Sequence, residues 1–337
     1  MSELFSRIIS FENLHAAYRR ARKGKRYRSS ILRFGCTREE QLCALRTALL
    51  RDVYRHGGYR EFVVTDSKKR VIKAASFRDR VVHHAVCHVI EPMLDRGFIY
   101  DSYACRTGKG THAAIRRVEQ FIATLQSLAP HREIYCLQCD ISKYFDSVHH
   151  ELLMECLRRT IHDERTLTLL RDIITSVPQG IPIGNLTSQL FANAYLNVFD
   201  HFVKRELRAR YYIRYMDDFL ILRWEKFALH DDKERIARFL RERLRLTLHP
   251  RKAEVFPIRH GIDFLGYVVR AGKRSLRAST VRRFLKKLRW RERAVARGAS
   301  TEQELYAMQM SWRGHARFAR SYALMKRLGL IPYGTHE

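Results

Sequence analysis

Acidic residues are scarce in this chain, and so are proline and long apolar runs. Its 337 residues carry 64 Lys and Arg against 35 Asp and Glu, a formal charge of +29. Such a surplus speaks to partners and not to fold, and it points to a polyanion. No stretch reaches the ~20 apolar residues that span a bilayer. Nucleic acid is therefore the expected partner, and no membrane is. Residues 1–11 lack a basic region followed by an apolar run, so no secretory signal is expected and a cytoplasmic location is. Seven prolines leave no Pro-rich linker. Seven cysteines are too few, odd in number and scattered, which excludes a disulfide framework. Cys136 and Cys139 make one C-x-x-C. A zinc site would need a second ligand pair, and the segment reads equally as a buried strand. His83, His84 and His88 lack the intervening Glu of a His-Glu-x-x-His site, so packing or RNA contact is expected of them. Against these absences stands a 46% hydrophobic content, enough for a real core and more than one domain.

Periodicity places helices at about 11–27, 37–51, 77–94, 149–159, 188–208 and 232–245, and mostly helix over 279–330. Short strands are expected at Tyr59–Val64 and Arg70–Lys73 around Asp66-Ser67-Lys68-Lys69. Further strands are expected at Glu133–Cys139, Tyr211–Tyr215, Phe219–Trp224, Glu254–Phe256 and Phe264–Val269. Strand, helix, long helix, hairpin, helix, strand describes an α+β layer, a sheet with helices on one face.

Three aspartates stand out. Asp140 ends an apolar strand, and Asp217 and Asp218 sit at a hairpin tip between apolar strands. Asp-Asp is ordinary turn chemistry. It is also what a two-metal site needs. Carboxylate oxygens are the hard ligands of Mg²⁺, which keeps part of its shell for water and substrate phosphates. Two ions roughly 3.5–4 Å apart can stabilise the attacking and leaving oxygens of phosphoryl transfer.

Tyr215-Met216-Asp217-Asp218 resembles the Tyr-x-Asp-Asp signature of reverse transcriptases. Asp140, followed five residues later by Phe145, resembles the motif before it. In the same order, Lys69-Arg70-Val71-Ile72, residues 76–82, 102–112 and 246–252, and Phe264-Leu265-Gly266-Tyr267 resemble further motifs, so the likeness covers nearly the whole chain. It implies a right-hand polymerase with fingers and palm and a helical thumb. The expected boundaries are 1–132 for the N-terminal region and fingers, 133–270 for the palm with an insert at about 160–190, and 271–337 for the thumb. It implies RNA-directed DNA polymerase activity with two Mg²⁺ ions, for which Mn²⁺ could substitute. Asp140, Asp217 and Asp218 would be catalytic and bind metal with the carbonyl of Ile141. Lys69, Arg70, Phe145, Ile183, Gly184, Gln189 and Lys252 would meet the deoxynucleoside triphosphate, with Phe145 as a steric gate against a 2′-hydroxyl. Tyr215, Met216, Arg106, Lys109, Gly266, Tyr267 and Trp312 would contact primer or template.

Residues 183–189 refine the likeness. Reverse transcriptases mostly carry Gln-Gly followed by Ser-Pro; here Ile183 replaces the Gln and Gln189 the Pro. The form Ile-Gly-x-x-x-Ser-Gln resembles the enzymes of diversity-generating retroelements, as does Ser311-Trp312-Arg313-Gly314-His315-Ala316. This implies adenine-mutagenic cDNA made from a template-repeat RNA for mutagenic retrohoming. Its partners would be template RNA, cDNA, the RNA/DNA hybrid and a small basic oligomeric accessory protein. Glu39, Glu40, Asp231 and Asp232 are expected as exposed acids that could meet that protein. A retron, group II intron-derived or defence-associated enzyme is the alternative within the class, and a non-catalytic RNA-binding cofactor the alternative outside it.

Lys and Arg are dense over residues 19–28 and 267–293, interleaved with Tyr27, Tyr267, Phe284 and Trp290, a mixture that suits phosphate contact with base stacking. RNA affinity should therefore fall linearly in log–log form with salt, with a slope of about −0.7 per phosphate contact. Fluorescence anisotropy between low and physiological salt measures it, and a flat dependence would remove the flanks as RNA contacts.

Overall fold

The computed structural model describes residues 3–65 and 69–330. The expected turn residues Asp66, Ser67 and Lys68, and the side chain of Lys69, lie outside the described residues. The chain divides into two compact units. The first comprises the residues up to Thr107, Cys139–Phe219 and Asp232–Ala253; the second comprises Gly108–Gln138, Leu220–Asp231 and the residues from Glu254 onward.

The strands form three sheets. β1 (Tyr59–Thr65) and β2 (Lys69–Ala75) make an antiparallel hairpin with Tyr59 opposite Ala75. β3 (Tyr135–Ile141), β4 (Tyr212–Tyr215), β5 (Asp218–Arg223) and β6 (Leu248–Pro257) form a four-stranded sheet in the order β4-β5-β3-β6. β7 (Ile262–Phe264), β8 (Tyr267–Arg270) and β9 (Lys273–Leu276) form an antiparallel meander. The expected strand Phe264–Val269 is thus broken by a two-residue turn. Leu265 (φ 50°) and Gly266 (φ 93°) both take the left-handed conformation that a tight hairpin turn demands.

In the first unit the helix Phe77–Asp95 is a central element. Ser76 caps it by accepting from the Asp79 N–H at 3.2 Å. Asp79 is buried and accepts from the Tyr54 hydroxyl at 2.9 Å, the Ser76 hydroxyl at 2.7 Å and the Gly57 N–H at 3.2 Å. Asn13 in the helix Phe11–Ala21 donates to the carbonyls of Ile8 and Ala85 and stitches the two helices together. That helix stops at Ala21, short of the expected residue 27.

The long helix Leu186–Arg205 buries Leu190, Phe191, Tyr195, Phe199 and Phe202 on its apolar face, and with them a charge, Asp200. The Arg214 guanidinium, fully buried, donates to Asp200 from Nε at 2.7 Å and from Nη2 at 2.6 Å, and the Tyr212 hydroxyl adds a third bond at 2.7 Å.

In the second unit Phe284, Leu288, Trp312, Ala316, Met325 and Leu330 form the core of a helical cluster built from Ala278–Ala296, Glu302–Ala316 and Tyr322–Arg327. A capping box, Thr301 with Glu304, starts the second of these.

Several elements differ from expectation. A helix at Thr111–Leu128 was not expected, although Ala114, Ile115, Val118, Ile122 and Leu125 recur at helical spacing and are buried. Another runs from Glu164 to Ile174, capped by Asp163. The helix expected at 232–245 starts earlier, at Lys226. Asp232, expected on the surface, is buried at 3% exposure. Among the described residues no helix is long and apolar enough to cross a membrane.

Asp200→Ala would leave the Arg214 charge buried and unpaired. It should cost about 3–5 kcal/mol, read as a shift of the urea midpoint. A change below about 1 kcal/mol would mean that solvent reaches the pair.

Candidate functional site

Alternation along β3 buries Leu137, Cys139 and Ile141 and leaves Asp140 half-buried, and Cys136 is buried as well. Burial pushes the Cys139 thiol up to about 12, so it sits there as a small apolar group. The second carboxylate comes from the β4–β5 connection. Met216 takes a left-handed backbone (φ 58°), which non-glycine residues rarely adopt and which costs of order 1–3 kcal/mol. The buried Arg214 holds it there, donating from Nη1 to the Met216 carbonyl at 2.9 Å and to Asn193 Oδ1 at 3.2 Å. The Ile141 N–H donates to the Asp217 carbonyl at 3.2 Å and ties the turn to the end of β3.

Asp140 and Asp217 therefore share one neighbourhood. Burial and then the Asp140 charge raise the Asp217 carboxyl above its ordinary range, while Lys252 and Arg70 pull the other way. Lys252 extends from β6 and pairs through Nζ with Asp140 Oδ2. Two hard carboxylates that repel each other, offset by one ammonium group, suit a divalent cation that keeps water and phosphate in its shell. Among the described residues no three His, Cys, Asp or Glu side chains gather into a cage. Asp218 follows Asp217 directly at this turn. It is the first residue of β5, where successive side chains alternate faces.

Phe145 lies on the short helix Tyr144–Ser147, whose entry residue Lys143 is also left-handed (φ 45°). Its ring meets Tyr144 edge-on at 5.6 Å; Tyr144 is buried whereas Phe145 is half-open. The Ile181 N–H donates to the Phe145 carbonyl at 2.8 Å. Gly180 (φ 67°) passes so close that a Cβ there would lie 2.7 Å from Asp146 Cα. The Lys73 N–H donates to the Ile183 carbonyl at 2.9 Å, which fixes this segment to β2. At Gly184 (φ 122°) a Cβ would meet Ile72 Cγ2 at 2.9 Å and the Lys73 carbonyl oxygen at 3.1 Å. Ile183 is half-buried, and Gln189 and Arg70 are exposed.

Other expected site residues are placed differently. Arg106 points inward: its guanidinium grips Asp95 at 2.5 and 3.2 Å and donates to the carbonyls of Ile99 and Ser102. Tyr215 is half-buried, as is Met216. In the second unit, the Tyr267 hydroxyl sits between His112 Nε2 at 3.1 Å and His315 Nδ1 at 2.8 Å, beside Gly266. Trp312 is a core residue stacked on Phe284 at 4.0 Å. Lys109 also belongs to this unit. The residues that sequence reasoning missed are those behind the aspartates, namely Arg214, Asp200 and Asn193. Their signal was a lone acid in an apolar helix and a lone arginine in an apolar strand.

Asp217→Asn should weaken binding of Mn²⁺, as reporter of a divalent ion, by about tenfold or more. In the parent chain that affinity should fall as the pH drops towards the raised Asp217 range, because protonation removes a ligand. Unchanged affinity in the variant would exclude the Asp140–Asp217 pair as the metal site.

The model of the family described as reverse transcriptase (RNA-dependent DNA polymerase) matches residues 64–269. The chain is similar to protein YkfC of Escherichia coli K12, 28% identical over 273 residues, covering 66% of this chain and 71% of that protein. It is also similar to nuclear intron maturase 1, mitochondrial, of Arabidopsis thaliana, 27% identical over 104 residues, but spans only 14% of its length. Among solved structures, telomerase of Candida albicans superposes with a TM-score of 0.53 at 12% identity, covering 66% of this chain and 47% of that one. The shared fold is the right-hand polymerase fold.

Proposed function

Because the chain belongs to the reverse transcriptase (RNA-dependent DNA polymerase) family, we propose that its aspartate cluster is the nucleotidyl-transfer centre. Reverse transcriptases use divalent metal ions, and the all-oxygen donor set here favours Mg²⁺, with Mn²⁺ as a substitute. When bound, the ions supply charge neutralisation for the attacking and leaving oxygens. Asp140 and Asp217, with the Ile141 carbonyl and Asp218 as further oxygen donors, hold them. Lys252 and Arg70, the cations that moderate Asp217, receive the triphosphate, together with Lys69. Phe145 presents its half-open ring as the floor under the sugar, where a 2′-hydroxyl would not fit. Tyr215 and Met216 flank the primer end. The first 132 residues or so form an N-terminal region and fingers, 133–270 the palm and the rest the thumb, where Gly266, Tyr267 and Trp312 shape the primer grip.

The finer reading is a low-fidelity enzyme of a diversity-generating retroelement. It would act in the cytoplasm on a template-repeat RNA with a small basic accessory protein. The observation that carries it is Ile183. In the motif Ile183-Gly184 it occupies the position where the family mostly carries a hydrogen-bonding Gln, and its carbonyl accepts from the Lys73 N–H of β2 at 2.9 Å. Selectivity built from hydrogen bonds far exceeds that from apolar shape alone. An Ile there leaves the nucleotide held by contact only. A second reading, an intron-related reverse transcriptase, is favoured by the likeness to a nuclear intron maturase.

Primer extension on an RNA template with Mg²⁺, followed by cDNA sequencing, separates these readings. Asp217→Ala should lose at least about two orders of magnitude in rate. The parent should misincorporate opposite template adenine, and Ile183→Gln should reduce those errors. Accurate copying by the parent would favour the intron-related reading; extension by Asp217→Ala at the parent rate would refute the site assignment.

A further inference from the structure

The loop 175–185, between the helices Glu164–Ile174 and Leu186–Arg205, carries Ile183, and a single phenol holds both of its ends. Tyr59 opens β1, and its hydroxyl lies 2.7 Å from Ser176 Oγ and 3.0 Å from Asn185 Nδ2. The proton directions follow from the neighbours. Ser176 Oγ donates to the Ile173 carbonyl at 2.6 Å, so it accepts from Tyr59. The Asn185 amide donates to the same phenol oxygen. Burial raises the Tyr59 hydroxyl above its ordinary range, so it keeps the proton that this chain of bonds needs. The ring is set in turn by His56, whose centroid is 5.0 Å away at an inclination of 29°. His56 Nε2 meets His83 Nε2 at 3.2 Å, which anchors it to the helix Phe77–Asp95. His83 is buried and pushed by that burial down to about 3, so its imidazole is neutral and the contact is an N–H···N bond.

Asn185 departs from what its position favours. It is the N-cap residue of the helix Leu186–Arg205, where an Asn side chain ordinarily accepts from a backbone N–H of the first turn. Here it makes no such bond. Its Oδ1 is buried with no hydrogen-bond partner among the described residues, and its amide nitrogen turns to Tyr59. Helix capping is thus given up for a tie to β1. Local rules broken in this way mark positions that serve function. The tie also has geometric value. Ser176 and Asn185 bracket Gly180 (φ 67°) and Gly184 (φ 122°), and a glycine-bearing loop whose ends are joined explores fewer conformations. The other strand of the same hairpin holds the middle of the loop, since the Lys73 N–H of β2 donates to the Ile183 carbonyl at 2.9 Å. β1 therefore fixes the ends and β2 the middle, and the hairpin locates Ile183.

We propose that Tyr59 is a positioning residue for the incoming nucleotide: its hydroxyl joins the two ends of the loop 175–185 and so sets where Ile183 stands against the nucleotide. This rests on the polymerase reading of the site and adds to it a residue that acts through the loop.

The test is primer extension at varied deoxynucleoside triphosphate concentration, for the parent, Tyr59→Phe, Asn185→Ala and the double variant. Tyr59→Phe keeps the ring and loses both bonds. It should raise the nucleotide KM about fivefold or more while kcat stays within about twofold. Asn185→Ala should raise KM in the same way, and the double variant should be no worse than Tyr59→Phe, because both changes cut one connection. A merely structural role would instead lower the urea midpoint and, through a smaller active fraction, kcat, at the parental KM. A parental KM in Tyr59→Phe would overturn the proposal, as would a double variant whose rise in KM is the product of the two single ones. Failure of the polymerase reading shows separately, as extension by Asp217→Ala at the parental rate, and would overturn the clamp with it.

Discussion

The buried pair between Arg214 and Asp200 is the interaction on which the candidate site depends. Asp200 belongs to the helix Leu186–Arg205 and Arg214 to β4, so one bidentate contact fixes strand against helix. The same guanidinium reaches the Met216 carbonyl and Asn193. It therefore couples the packing of the core to the left-handed turn that presents Asp217. A buried ion pair is a poor source of net stability, since desolvation offsets most of its attraction. Its use here is geometric. Five donors in a rigid fork set several atoms at once, which an apolar residue of the same volume could not do.

The electrostatics of the first unit follow a common rule. Where like charges are brought together, the fold supplies only part of the compensation. The Asp140–Asp217 pair has Lys252 and a contribution from Arg70, and Asp217 still sits above the usual carboxylate range.

Much of this was legible in the sequence, because it rests on local patterns. The apolar alternation of β3 and the Tyr-Met-Asp-Asp hairpin give the aspartates their places, and the helix Leu186–Arg205 reads directly from its apolar spacing. What the sequence hid depends on long-range partners. Arg106 stands in a Gly-rich, exposed-looking segment and reads as an RNA contact, yet Asp95 and two carbonyls claim its donors. Trp312 is expected to contact primer or template from its motif, but its ring stacks on Phe284, far away in sequence, in the helical core. Asp232 reads as solvated because its neighbours are charged. The roles of Arg214 and Asp200 appear only when both are placed in space.

The segment 180–184 has a property that matters for altering this protein. Gly180 and Gly184 are each pressed against backbone, one beside Phe145 and Asp146 and the other beside β2, and both have φ values that favour glycine. Ile183 stands between these anchors with its own carbonyl bonded to Lys73. The backbone path here is thus closely dictated on both sides of Ile183. A side chain larger than glycine at 180 or 184 would therefore force the backbone on either side of Ile183 to shift.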